Sequence, residues 1–228
     1  MPRKKARYRA ALEVTTDWLR GPERPLDLPD HVPATVEIGI GSGYWLVERA
    51  KADPARMFVG LEIKEERAYQ ATRDAIAAGV SNMRFLVGEA SRLDQVMPTA
   101  RFDEIAILFP DPWPKKSDSR RRLTWPQRLR GFGRWLKPTA TGLFRTDNRR
   151  LWEYSRKAIP AAGFVVTSAI ENTPPREVMT RYEARFRAEG LPIYEIHFMW
   201  PGADMAAALK EIPDEDVRYR PEVAPRTP

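Results

Sequence analysis

The sequence predicts an α/β fold with a doubly wound, mostly parallel sheet of seven strands and an antiparallel pair at one end. Three observations predict it. Short β-branched or apolar runs alternate with helical patterns from Ala34 to Met199, the signature of strands joined by right-handed helical crossovers. One early run, Val36-Glu37-Ile38, opens into Gly39-Ile40-Gly41-Ser42-Gly43, and a helical pattern begins at Tyr44. Finally, Gly39–Gly43, Glu62, Glu89, Asp111 and Asp147 each follow a predicted strand directly. In such sheets ligands sit beyond the carboxyl ends of the strands, so these positions share one rim.

The elements follow in order. Thr35–Ile40 reads as a strand, Tyr44–Ala52 as a helix and Met57–Leu61 as a strand. Lys64–Ala78 reads as a helix with Ala68, Ala71, Thr72, Ala75 and Ile76 on one face, stopped by Gly79. Met83–Val87 is a strand, a short helix lies near Arg92–Met97, and Asp103–Phe109 is a buried strand. Thr124–Leu136 reads as a helix, Thr141–Thr146 as a strand and Asn148–Ala162 as a helix; Phe164–Ile170 and Ile193–Met199 complete the sheet as the antiparallel pair. Three segments result: a basic arm with an irregular lead-in over 1–33, a globular domain over 34–200, and a tail over 201–228. The lead-in holds Pro22, Pro25, Pro29 and Pro33, and the tail lacks apolar periodicity after residue 213.

Bulk properties narrow the function. The 228 residues suffice for one α/β domain. A formal charge of +7 suits a polyanionic partner, and Arg3, Lys4, Lys5, Arg7 and Arg9 add a basic arm without an acid. Cysteine is absent, which excludes disulfides and thiolate metal sites. His31 and His197 are far apart and lack ligand spacing, so no metal is expected. No run of eighteen apolar residues is present, so the expectation is a cytoplasmic protein without membrane association.

The glycine loop is informative about its ligand. Glycines permit a tight turn and close approach of backbone N–H groups at a helix N-terminus. Their spacing lacks the later glycine of the dinucleotide pattern. Glu37 would repel a pyrophosphate but attract an α-ammonium. Glu62, nineteen residues after Gly43 at the end of the next apolar run, can accept from a ribose diol. That order of strand, loop, helix and acid points to S-adenosylmethionine.

The second motif is Leu108-Phe109-Pro110-Asp111-Pro112-Trp113-Pro114-Lys115-Lys116, followed by Arg120, Arg121 and Arg122. Prolines on both sides leave Asp111 few conformations. A stiffened carboxylate beside five cations suits a site that holds a polyanion and acts on one group within it.

These motifs, with GLEI, NMRFLVGEA, FRTDN and TRYEARF in the same order, resemble the bacterial tRNA (guanine-N7-)-methyltransferases over roughly residues 34–200. The resemblance implies a Rossmann-like class I methyltransferase fold and methyl transfer from S-adenosylmethionine to N7 of a guanine in the variable loop of tRNA. It places Glu37, Gly39, Gly41, Gly43, Glu62, Glu89 and Asp111 at the cofactor, with Asp111 catalytic. It assigns Lys115, Asp147, Thr180, Arg181, Tyr182 and Glu183 to the target nucleoside, and Lys116, Arg120, Arg121 and Arg122 to the RNA. Two other readings stay open: an exocyclic-amine methyltransferase on RNA or DNA, and a non-catalytic RNA-binding protein with a methyltransferase fold.

Overall fold

The computed structural model describes residues 19–21 and 25–208; the basic arm Arg3–Arg9 and most of the tail lie outside them. The chain forms a single sheet flanked by helices on both faces. Strands β1 (Leu19–Arg20), β2 (Ala34–Ile38), β3 (Met57–Glu62), β4 (Met83–Val87), β5 (Phe102–Leu108), β6 (Leu136–Thr146), β7 (Val165–Ile170) and β8 (Tyr194–Met199) lie in the order β1-β4-β3-β2-β5-β6-β8-β7. Pairings are parallel from β1 to β6, and β8 runs antiparallel to both β6 and β7. The seven expected strands are all present, joined by the two-residue β1 at one edge. The folded unit reaches past the expected bounds on both sides: Leu26 and Leu28 are buried before residue 34, and Ala206 packs into the core after residue 200.

The helices are α1 (Tyr44–Ala52), α2 (Glu65–Ala77), α3 (Pro126–Gly133), α4 (Arg149–Ala161), α5 (Arg181–Ala188) and α6 (Ala203–Ala208). Pleat alternation divides the core between the two faces. Ala34, Val36 and Ile38 join one buried cluster, while Phe58, Phe85 and Ala106 join the other, under α1 and α2. On α2 the small residues Ala68, Ala71, Thr72 and Ala75 are buried. They let the chain come so close that a Cβ at Gly43 would lie 2.6 Å from the Ala71 Cβ. Ile76 departs from expectation: it is 46% exposed, because the short alanine face alone fills the space.

Other boundaries moved for tertiary reasons. The short helix expected near Arg92–Met97 is a 3₁₀ turn over Ala90–Gln95. Helix α3 stops at Gly133, where the Trp200 ring would stand 2.7 Å from any Cβ. Strand β6 begins at Leu136, which pairs with Phe102 of β5, earlier than the apolar run suggested. Helix α5 was not expected from periodicity: its buried position is Glu183, not an apolar residue. Among the described residues no helix is long and apolar enough to cross a membrane.

Candidate active site

The carboxyl ends of β2, β3, β4, β5 and β6 open onto one cavity of about 470 Å³, within the usual range for small-molecule sites. Glu37, Gly39, Gly41, Glu62, Glu89, Asp111 and Asp147 line it, together with Thr180, Arg181 and Tyr182 at the start of α5. Carboxylates widely separated in the sequence are thus gathered at the rim that the strand ends define.

The glycine loop is built by its own hydrogen bonds. Gly39 and Ile40 N–H donate to the Leu61 carbonyl at 2.8 and 3.1 Å, and Gly43 N–H to Ile40 at 2.8 Å. Gly39, Gly41 and Gly43 have φ of +80°, +56° and +70°, angles that glycine adopts at little cost. Gly43 is buried against Ala71, so it shapes the loop, whereas Gly39 and Gly41 line the cavity. Glu62 braces the same loop: its carboxylate accepts from Gly41 N–H at 3.0 Å and Lys64 N–H at 2.9 Å. A carboxylate has about four acceptor positions, so Glu62 retains capacity for ligand hydroxyls.

Glu37 sits in β2 between Gly60 and Ala106 on the neighbouring strands, small residues that leave room for its carboxyl. It is 2% exposed, and its Oε2 has no hydrogen-bond partner. Burial, reinforced by Glu62 and only partly offset by Arg49, raises its pKa to about 8. Arg49 is engaged elsewhere, pairing with Glu104 at 3.0 Å. An unpartnered buried acid on the cavity wall fits a cationic ligand group such as an α-ammonium, whose charge would favour the ionised carboxylate. Glu89 faces Arg128 at 3.6 Å and Arg92 at 3.8 Å.

The Asp111 loop is under backbone strain. Phe109 and Trp113, on either side of Pro110-Asp111-Pro112, have φ of +49° and +43°. Bulky residues seldom adopt such angles unless the surroundings impose them, and such outliers gather at functional sites. Phe109 N–H donates to the Arg145 carbonyl at 2.8 Å, which ties the loop to β6. Arg121 stacks over the Trp113 ring at 4.4 Å and lines the cavity.

Asp147 lies between β6 and α4. Asn148 caps α4, its Oδ1 accepting from Leu151 N–H at 2.9 Å, and Thr146 Oγ1 accepts from Asn148 N–H at 3.0 Å. Desolvation raises the pKa of Asp147. Across the cavity, Thr180 Oγ1 accepts from Glu183 N–H at 2.9 Å as the cap of α5. Tyr182 overhangs the glycine loop, with Cε2 3.9 Å from a Cβ built at Gly41, and Arg181 stacks over Tyr44 at 5.3 Å.

Two expected contacts are corrected by their surroundings. Glu183, expected at the nucleoside, is fully buried on the inner face of α5 and is not among the residues lining the cavity. Its carboxylate is held by Arg145 at 3.1 Å and Arg187 at 2.7 Å. Arg122, expected at the RNA, is 1% exposed. Its guanidinium donates to the carbonyls of Pro112 and Trp113 and lies over the Tyr154 ring. Lys115, Lys116 and Arg120 are exposed on the adjoining 3₁₀ turn but do not line the cavity. Sequence reasoning missed Phe109, Trp113 and Phe186 on the cavity wall. It also missed the buried Arg145, whose signal was a cation directly after the apolar pair Leu143-Phe144 in β6.

Comparison with known proteins identifies the family and the fold. Residues 31–196 match a family described as "Putative methyltransferase". The tRNA (guanine-N(7)-)-methyltransferase of Limosilactobacillus fermentum is 33% identical over 74% of this chain and 81% of its own length. That of Listeria monocytogenes serotype 4b is 36% identical over 72% and 78%. Among solved structures, the 16S rRNA methyltransferase KamB superposes with a TM-score of 0.60 at 17% identity, covering 75% of this chain and 89% of its own. A methyltransferase from Aquifex aeolicus gives 0.55 at 15%, covering 74% and 82%. These last two share the fold. With its motifs on one rim and relatives matched over most of their length, the chain belongs to the tRNA (guanine-N7-)-methyltransferase family.

Proposed function

We propose that this enzyme transfers the methyl group of S-adenosylmethionine to N7 of a guanine in tRNA, the variable-loop guanine by its family. The observation that carries the site assignment is the shared cavity: the strained Asp111 loop and Asp147 face the same space as Glu37 and the glycine loop.

S-adenosylmethionine supplies an electrophilic methyl on a sulfonium. Guanine N7 has an in-plane lone pair and no proton, so no base is needed to expose it. The protein's task is alignment and electrostatics. Glu37 receives the α-ammonium, Glu62 the ribose hydroxyls, and Gly39 and Gly41 allow close backbone approach. Glu89 completes the cofactor end. Asp111 opposes the positive charge that the purine gains on methylation. Asp147 accepts from guanine N1–H and N2–H₂, a pattern that adenine, with an acceptor at N1, cannot satisfy. Because Glu183 is already held by two arginines, this reading rests on Asp147. Tyr182, Arg181 and Thr180 border the nucleoside, and Lys115, Lys116, Arg120 and Arg121 hold the RNA backbone while the base leaves its stack.

Transfer of tritiated methyl to an unmodified tRNA, followed by nucleoside analysis, tests this. Label in 7-methylguanosine is expected. Label in 6-methyladenosine would instead select exocyclic-amine chemistry, and tight RNA binding without label a non-catalytic role.

A further inference from the structure

Arg122 stands in a run of cations and is nevertheless buried. Its Nε donates to the Pro112 carbonyl at 3.1 Å and the Trp113 carbonyl at 3.2 Å, and Nη2 donates to Trp113 at 2.7 Å. Its Cζ lies 4.4 Å from the centre of the Tyr154 ring. Tyr154 is a buried residue of α4, the helix that begins immediately after Asp147 and Asn148. Nearby, Ser155 Oγ donates to Thr124 Oγ1 at 2.9 Å and fastens the chain just beyond Arg122 to the same helix.

We infer that Arg122 is a positioning residue that clamps the Asp111 loop to helix α4 and so sets the spacing between Asp111 and Asp147. The carbonyls it grips belong to Pro112 and to Trp113, the latter at φ +43°. A bulky residue does not keep such an angle without an outside hold. A planar guanidinium grips adjacent carbonyls with several N–H groups at fixed angles, which an ammonium cannot do. The same plane stacks on Tyr154. One side chain therefore joins the turn bearing the proposed charge-stabilising carboxylate to the helix that starts beside the proposed base-reading one. Arg121, its neighbour, points the other way, over Trp113 and into the cavity.

The inference rests on the proposed roles of Asp111 and Asp147, and its test has an arm independent of them. Arg122→Lys keeps the charge and most of the stem. The expected result is a fall in kcat of about 10- to 100-fold, the scale for a small misplacement in an active site. KM for tRNA and the salt dependence of tRNA binding should stay at wild-type values. Amide hydrogen exchange in residues 109–119 should accelerate while exchange in β2–β4 does not. Unchanged loop exchange overturns the clamp whether or not the enzyme methylates guanine. Unchanged kcat in an active enzyme, or a flatter salt slope, overturns the positioning role. Should Arg122→Lys not fold, Tyr154→Leu leaves Arg122 in place and removes the ring it stacks on. It should give the same pattern at smaller amplitude, and wild-type kcat and loop exchange there overturn the inference.

Discussion

Arg145 and Glu183 meet at 3.1 Å, with exposures of 3% and 0% for their side chains, where strand β6 passes beneath helix α5. Arg145 also reaches Glu195 on β8 at 2.6 Å, and Glu195 in turn holds Arg176 and His197, each at 2.6 Å. The network joins α5, which carries Tyr182 and Arg181 over the cavity, to β6, the strand that ends just before Asp147. Removing one partner of such a pair strands the other charge in the interior, at a cost of about 3–5 kcal/mol. Glu183→Ala should therefore lower the unfolding free energy by that amount in urea denaturation. Asp147→Asn should leave it within about 0.5 kcal/mol, as expected for a site away from the core, while removing most guanine methylation. A Glu183→Ala protein of wild-type stability would return Glu183 to the nucleoside.

Asp111 is exposed and its loop is held by backbone and by Arg122, so its carboxylate contributes little to the fold. Asp111→Ala and Asp111→Asn should each reduce the methyl-transfer rate by on the order of 10²–10³, the usual loss for one well-placed electrostatic group. Their melting curves should match wild type. Turnover within about threefold of wild type would take Asp111 out of the mechanism.

Glu62 has two roles that a cofactor titration can separate. Its carboxylate braces Gly41 and Lys64 through their N–H groups, and in our reading it also accepts from ribose hydroxyls. Glu62→Ala should weaken S-adenosylmethionine binding by at least about 1.5–3 kcal/mol, the range for hydrogen bonds to a charged group, with tRNA affinity nearly unchanged. Calorimetry giving equal cofactor affinity would refute the ribose assignment.

Glu37 makes stability depend on pH. Its ordinary pKa of 4.5 is raised to about 8 in the fold by burial, with Glu62 adding to the effect. Folding then favours the protonated carboxyl, so the contribution is complete below pH 4.5 and is lost as pH rises through about 8. Between those values wild type should lose stability as pH increases, at up to about 1.4 kcal/mol per unit. Glu37→Gln carries no such proton and should show a shallower slope across the same window. Parallel slopes in urea unfolding at pH 6, 7 and 8 would show that Glu37 is ionised in the fold.

The features legible in the sequence were those set by local chemistry. Alternating apolar and helical patterns, glycines at 39, 41 and 43, and acids after strand ends depend on near neighbours, and the rim follows from topology. Features set by distant partners were not legible. Arg122 looks like Arg120 and Arg121 until Tyr154 and the Trp113 carbonyl are brought against it. Glu183 looks like a free acid until Arg145, 38 residues away in the chain, arrives beneath it. Helix α5 has no apolar stripe, since a buried ion pair takes the place of one. The positive φ at Phe109 and Trp113 comes from the tertiary hold on a proline-flanked turn, which propensity alone would argue against.

Separating Arg122 from its neighbours sharpens the expectation for RNA holding. Arg120 is exposed, and the side chain of Arg121 is 61% exposed with a loose 3.7 Å pairing to Asp118. Both stand on the turn that follows the Asp111 loop, where a phosphate backbone would pass as the target base enters. Each phosphate neutralised by a cation releases counterions and contributes about 0.7–0.9 to the slope of log affinity against log salt. Replacing Arg120 and Arg121 together by alanine should weaken tRNA binding and flatten that slope by about 1.5. S-adenosylmethionine affinity should hold, because its proposed contacts come from Glu37, Glu62 and Glu89. Arg122→Lys is the matched control, with the wild-type slope and reduced kcat. An Arg120/Arg121 double mutant with wild-type affinity and slope would move the RNA surface away from this turn, to the basic arm at Arg3–Arg9.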